Sequence, residues 1–141
     1  MRFSINLLLV FMLLTLAAGE AMACKCSIKA REFNHAVKAS SLVFLGKLVE
    51  ISQVYDSPIF FSATYKFVPL KTWRGESADT LMLQTGSNCN IRLQAGSTYV
   101  LYINPGTELT NCHRIISQNL QAEIKKLDKY FVKPRPLQKH P

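Results

Sequence analysis

Phe61-Ser62-Ala63-Thr64-Tyr65-Lys66-Phe67 alternates apolar and polar residues with a period of two. Successive side chains of a strand point to opposite faces, so this stretch reads as a strand with one buried face. Pro58 bounds it upstream, and Trp73-Arg74-Gly75-Glu76 reads as the turn that ends it. Leu42 to Ile51, rich in Val, Leu and Phe, predicts a strand before it; Gly46 inside that run marks a bulge or tight bend.

Downstream, Thr80 to Thr85 predicts a further short strand, and Gly86-Ser87-Asn88 a loop. Gly96-Ser97 turns into Thr98-Tyr99-Val100-Leu101-Tyr102-Ile103, which is apolar on both faces and therefore central and buried. Asn104-Pro105-Gly106 ends that run, and Leu109 to Ile116 predicts the last strand. Two helices flank the set. Residues 29–40 carry Ala30, Phe33, Ala36 and Val37 on helical spacing, and Leu120, Ile124, Leu127 and Phe131 form an apolar stripe with Ser117 as N-cap. The class is therefore all-β or mainly β, with about five strands and flanking helices. The pattern predicts a small barrel, without choosing between an OB-fold barrel and another compact β fold.

The chain has 141 residues, of which 48% are apolar, and the apolar residues crowd into the first 23 positions. Residues 1–23 read as a signal peptide: Arg2 supplies the positive start, Leu7 to Leu14 the apolar run, and Ala21-Met22-Ala23 an A-x-A cleavage pattern. An uncleaved anchor needs about 20 apolar residues, and this run is shorter. Ala17-Ala18-Gly19 is a second candidate cut. Lipidation at the cysteine after Ala23 is a lesser reading, because Ala21 stands where a lipobox has Leu. The organisation predicted is a leader at 1–23, one domain at 24–132, and a basic mobile tail at 133–141. The predicted location is secreted or periplasmic.

Seventeen Lys and Arg against nine Asp and Glu give a net charge of +8. Arg2 and Glu20 cancel within the leader, so the remainder keeps that balance. The excess favours anionic partners, and Lys125, Lys126, Lys129, Lys133, Arg135 and Lys139 provide a basic C-terminal region for an anionic surface. Export argues against a nucleic-acid role, and the predicted state is a monomer.

Four cysteines, Cys24, Cys26, Cys89 and Cys112, allow three pairings. Cys24 with Cys26 would close a very small strained ring. Either long-range pairing would tie the start of the domain to its body. A zinc site built from Cys24, Cys26, Cys112 and His113 is the competing use, but the usual C-x2-C pairs are absent and an exported chain favours disulfides. Catalysis has little to stand on. There is no H-E-x-x-H and no G-x-S-x-G, and His35, His113 and His140 are scattered. The predicted chain is not an enzyme and carries no cofactor.

Taken together, Cys24-Lys25-Cys26, a helix, Leu42-Val43-Phe44-Leu45-Gly46-Lys47-Leu48-Val49, Tyr65-Lys66-Phe67 leading to Trp73-Arg74-Gly75, Cys89 in a loop, Gly96-Ser97-Thr98-Tyr99-Val100-Leu101-Tyr102, and Cys112 with Arg114 form a specific combination. It resembles the inhibitory N-terminal domain of the tissue inhibitors of metalloproteinases, a netrin-like domain, over roughly Cys24 to Phe131. The resemblance implies a five-stranded OB-fold barrel with Cys24 bridged to Cys89 and Cys26 to Cys112, in a minimal single-domain relative of bacterial type. It differs from the animal domains in having four cysteines rather than six, no second domain, Asn90 where Gly is frequent, and Lys25 where Thr or Ser is usual.

The function that resemblance implies is inhibition of a zinc metalloprotease. The α-amine and carbonyl oxygen of Cys24 would chelate the catalytic zinc and displace its water. Lys25 and Ser27 would enter the pocket beside the metal, and Ser87, Asn88, Cys89 and Asn90 would form the second half of the contact ridge with Cys26. Burying an unpaired ammonium is costly, so Lys25 predicts weak action on proteases with apolar pockets. The alternative is a non-inhibitory exported module that binds a protein or an anionic polysaccharide or envelope.

Overall fold

The computed structural model describes residues 24, 26–58, 60–76, 78–86 and 89–132. The leader and the basic tail lie outside the described residues, and so do Lys25, Ser87 and Asn88.

The alternating stretch is part of strand β2 (Phe61–Arg74), which follows β1 (Leu42–Asp56). Phe61, Ala63, Tyr65 and Phe67 are buried. Thr64, between them, is buried as well, and its hydroxyl is satisfied by donating to Gln53 Oε1 at 2.9 Å. β3 (Leu81–Thr85), β4 (Thr98–Ile103) and β5 (Ile115–Ile116) complete an antiparallel sheet of order β3-β2-β1-β4-β5.

β1 is longer than its sequence pattern predicts, because four register shifts against β2 bend it while pairing continues. One shift lies at Leu45/Gly46. A Cβ at Gly46 would sit 2.6 Å from Phe44 Cε2, so only glycine lets Phe44 meet Phe67 edge-on, with ring centroids 6.0 Å apart. Another lies between Ser52 and Tyr55, where Gln53 adopts φ +50°. The first half of β1 pairs with both β2 and β4; beyond Lys47 it pairs only with β2.

β4 is buried on both faces, as its composition predicts. Tyr99, Leu101 and Ile103 enter the core shared by β1, β2 and β3, while Val100 and Tyr102 enter a second core under the helices. Helix α1 (Phe33–Ala39) contributes Ala36 and Val37 to that second core, and helix α2 (Leu120–Val132) contributes Leu127.

Other boundaries also differ from expectation. The segment 29–40 is split into a 3-10 turn at Ile28–Arg31 and α1, because Glu32 is extended between them. The strand expected at Leu109 to Ile116 shrinks to two residues: a turn carries His113 N–H back to Thr110 O at 3.1 Å. Ser117 is not the cap of α2; the Asn119 carbonyl accepts the Ala122 and Glu123 N–H groups. Trp73 and Arg74 also stay within β2, and the chain leaves it at Gly75, with φ +77°.

β3 and β5 are not paired, so the sheet is open rather than a closed barrel. The connection between β4 and β5 reaches the β3 edge, where Leu109 N–H donates to Gln84 O at 2.7 Å.

Candidate functional site

Two disulfides gather three distant segments. Cys24 bonds Cys89 across a separation of 65 residues, with Cα atoms 5.3 Å apart; Cys26 bonds Cys112 across 86, with Cα atoms 5.1 Å apart. Both separations suit unstrained backbone placement. All four thiols are consumed, so the zinc-site reading is overturned. Among the described residues no three His, Cys, Asp or Glu side chains cluster as a metal would need. Such bridges persist in an oxidising, extracellular or periplasmic space. Among the described residues no helix is long and apolar enough to cross a membrane.

Cys24 and Cys26 are bound to two different loops within three residues of chain. In the chain-entropy account, closing a loop the size of Cys24–Cys89 removes roughly 4 kcal/mol of unfolded-state freedom. The two loops are also joined to each other, since Asn111 N–H donates to Cys89 O at 2.8 Å.

A polar chain carries this rigidity back to the core. Arg31 Nη2 donates to Asn111 O at 2.6 Å, and Arg114 Nη1 donates to Arg31 O at 2.6 Å. The Arg114 guanidinium also grips both oxygens of Glu123. Glu123 is only 4% exposed, and the Tyr102 hydroxyl donates to it at 2.6 Å. Burial, and then the hydrogen bond to Glu123, hold the Tyr102 phenol well above its ordinary pKa. A buried carboxylate is tolerated only when its lone pairs are filled, and this one is filled by an ion pair plus a phenol.

His113 stands next to Cys112 and is half-buried. Its Nδ1 accepts the Thr110 N–H at 3.1 Å, which puts the proton of the neutral ring on Nε2. Burial pulls its pKa below the ordinary value, outweighing the opposing hydrogen bond to Thr110. Arg31, Asn111, His113 and Arg114 border a cleft of about 360 Å³ with Ile91, Ile115 and Ile116.

Of the residues assigned to the ridge, Cys24 is bonded to Cys89, and Cys26 is held beside them by its bridge to Cys112, with Ser27 exposed and Asn90 half-buried after Cys89. Lys25, Ser87 and Asn88 lie outside the described residues. Sequence reading missed three participants. Ile28 is 85% exposed immediately after Ser27, an apolar side chain just ahead of the segment read as a helix. Arg31 and Asn111 act through main-chain carbonyls and carry no motif; Arg114, already marked by its position after Cys112, is the one local signal.

No protein-family model matches the chain, and no curated protein matches it significantly.

Proposed function

We propose that the chain is exported, is cut after Ala23, and inhibits a zinc metalloprotease through the new terminus at Cys24. The observation that carries this reading is the double tether, with Cys24 and Cys26 each bridged into a separate loop.

The chemistry follows from the terminus. With its sulfur in a disulfide, Cys24 offers only its α-amine and carbonyl oxygen. An α-ammonium has a pKa near 8, so zinc displaces its proton at neutral pH far more readily than that of a lysine side chain. The amine and carbonyl then take positions on a metal that keeps one for water, and the attacking water is lost. Prior fixation by two bridges lowers the ordering cost of binding. Ser27, Ile28 and Asn90 flank the terminus as the rest of the contact surface, with Lys25, Ser87 and Asn88 contributed by the same segments.

The fold reading that accompanies this is an OB-type barrel of netrin-like kind. It is supported by a long bent β1 shared between β2 and β4, and by the bond from Leu109, in the β4–β5 connection, to Gln84 of the edge strand β3. The chain acts as a monomeric protein ligand and needs no cofactor of its own. N-terminal sequencing of the exported protein, paired with titration against a panel of zinc metalloproteases, tests the proposal. A free Cys24 amine with stoichiometric inhibition supports it; retained upstream residues or an acylated terminus in an inhibitory protein refute it.

A further inference from the structure

A second cleft, of about 300 Å³, stands at the small end of the range for ligand sites. Gln53 and Phe60 reach it from the β1–β2 hairpin, Ser62 and Thr64 from β2, Gln84 from β3 and Glu108 from the loop after β4. The cleft therefore sits where the first hairpin, the β2–β3 surface and the β4–β5 connection meet. An oligonucleotide and an oligosaccharide are the two extended polar ligands to weigh for such a cleft.

The lining decides between those two ligands. Among the described residues it contains no Lys, Arg or His, and its single charge is the Glu108 carboxylate. A phosphate backbone needs cations, and here it would meet an anion. A neutral sugar needs the opposite equipment: an aromatic face for its C–H bonds, and amide, hydroxyl and carboxylate groups for its hydroxyls. Phe60 is the aromatic, and the ring of Tyr55 supports it with centroids 5.9 Å apart. Thr64 donates to Gln53 Oε1, which leaves the Gln53 amide nitrogen available. No hydrogen bond among the described residues engages the side chains of Ser62, Gln84 or Glu108.

Gly86 borders the cleft. A Cβ there would stand 3.4 Å from Ser62 Cβ, 3.7 Å from Glu108 Oε1 and 4.0 Å from Phe60 Cζ, in the midst of the groups a ligand would touch.

The geometry points to a neutral-saccharide site formed by Gln53, Phe60, Ser62, Gln84 and Glu108. It does not depend on the protease reading, because it uses neither Cys24 nor the ridge. The test is amide NMR on the full mature chain, titrated separately with chitotriose, cellotriose and maltotriose, and with a hexathymidylate oligonucleotide as the anionic probe. At least one trisaccharide should shift the amides of Ser62, Gln84, Gly86 and Glu108, and the oligonucleotide should not. Gln84→Ala, at an exposed position, should weaken that binding about fivefold, the worth of roughly one hydrogen bond. The inference is overturned if no trisaccharide shifts these amides, if the shifts fall elsewhere, if the oligonucleotide binds there as well as the sugar, or if Gln84→Ala binds unchanged.

Discussion

Arg114 holds Glu123 with two hydrogen bonds, Nε to Oε1 at 2.8 Å and Nη2 to Oε2 at 2.9 Å, and the same guanidinium reaches the Arg31 carbonyl. One arginine thus couples a buried helix carboxylate to the turn that follows the disulfide-bound Cys24–Cys26 segment. Removing one member of such a pair leaves the other charge buried and alone. Glu123→Leu should therefore cost about 3 kcal/mol, read as a lower midpoint in urea unfolding followed by Trp73 fluorescence. Replacing both members, Arg114→Met with Glu123→Leu, should recover part of that loss. A single variant as stable as the native chain would contradict the assigned role.

The stability of the domain should fall on mild acidification, through His113. Its folded pKa is depressed, so the unfolded chain binds more protons between the folded value and the ordinary one near 6.5. Stability from this group is therefore present above about pH 6.5 and is lost as pH falls through the folded value. His113→Asn should flatten the slope of the unfolding midpoint over that window. A slope identical in the two proteins would exclude His113 as the cause.

Gly75 and Gly96 make a matched pair. Both have positive φ, +77° and +82°. A Cβ at Gly75 would lie 2.7 Å from Ser41 O and 3.3 Å from Leu42 Cα, whereas nothing lies within 4 Å of one at Gly96. Gly96→Ala should cost about 1 kcal/mol, from conformation alone. Gly75→Ala adds a clash with main chain that cannot rotate away, and should cost about 2–3 kcal/mol. Equal losses in thermal unfolding would show that the approach to Ser41 is not constraining.

Lys25 lies between the two bridged cysteines, where the proposed mechanism carries it into the protease pocket. Lys25→Thr should strengthen inhibition of a protease whose pocket is apolar, since an ammonium no longer has to be desolvated there. Weaker inhibition by the variant would instead mean that the target pocket is acidic and that Lys25 contributes to recognition.

Periodicity located the elements that have one clear partner surface. Phe61 to Phe67 alternates because one face meets the core, Leu120 to Phe131 repeats because α2 lies flat on β4, and Thr98 to Ile103 is apolar throughout because both faces are covered. What escaped depends on non-local geometry. β1 outruns its pattern because bulges at Gly46 and Gln53 let an irregular run keep its pairing with β2. The Leu109 to Ile116 strand is lost because Thr110 and His113 close a turn that their residue types do not announce. At the ridge, the cysteines are legible as spacing. Arg31 and Asn111 are not, because they work through carbonyl oxygens contributed by segments about 80 residues apart.

The central claim concerns the amine of Cys24, and the most direct measurement adds a single Ala before it. The extended protein should keep both disulfides and the same urea midpoint, since the added residue lies outside the tethered segment. It should nonetheless lose inhibition of any zinc metalloprotease that the native mature chain blocks, because the amine becomes an amide nitrogen and no longer ligates zinc. Inhibition by the extended protein equal to that of the native chain would contradict the account.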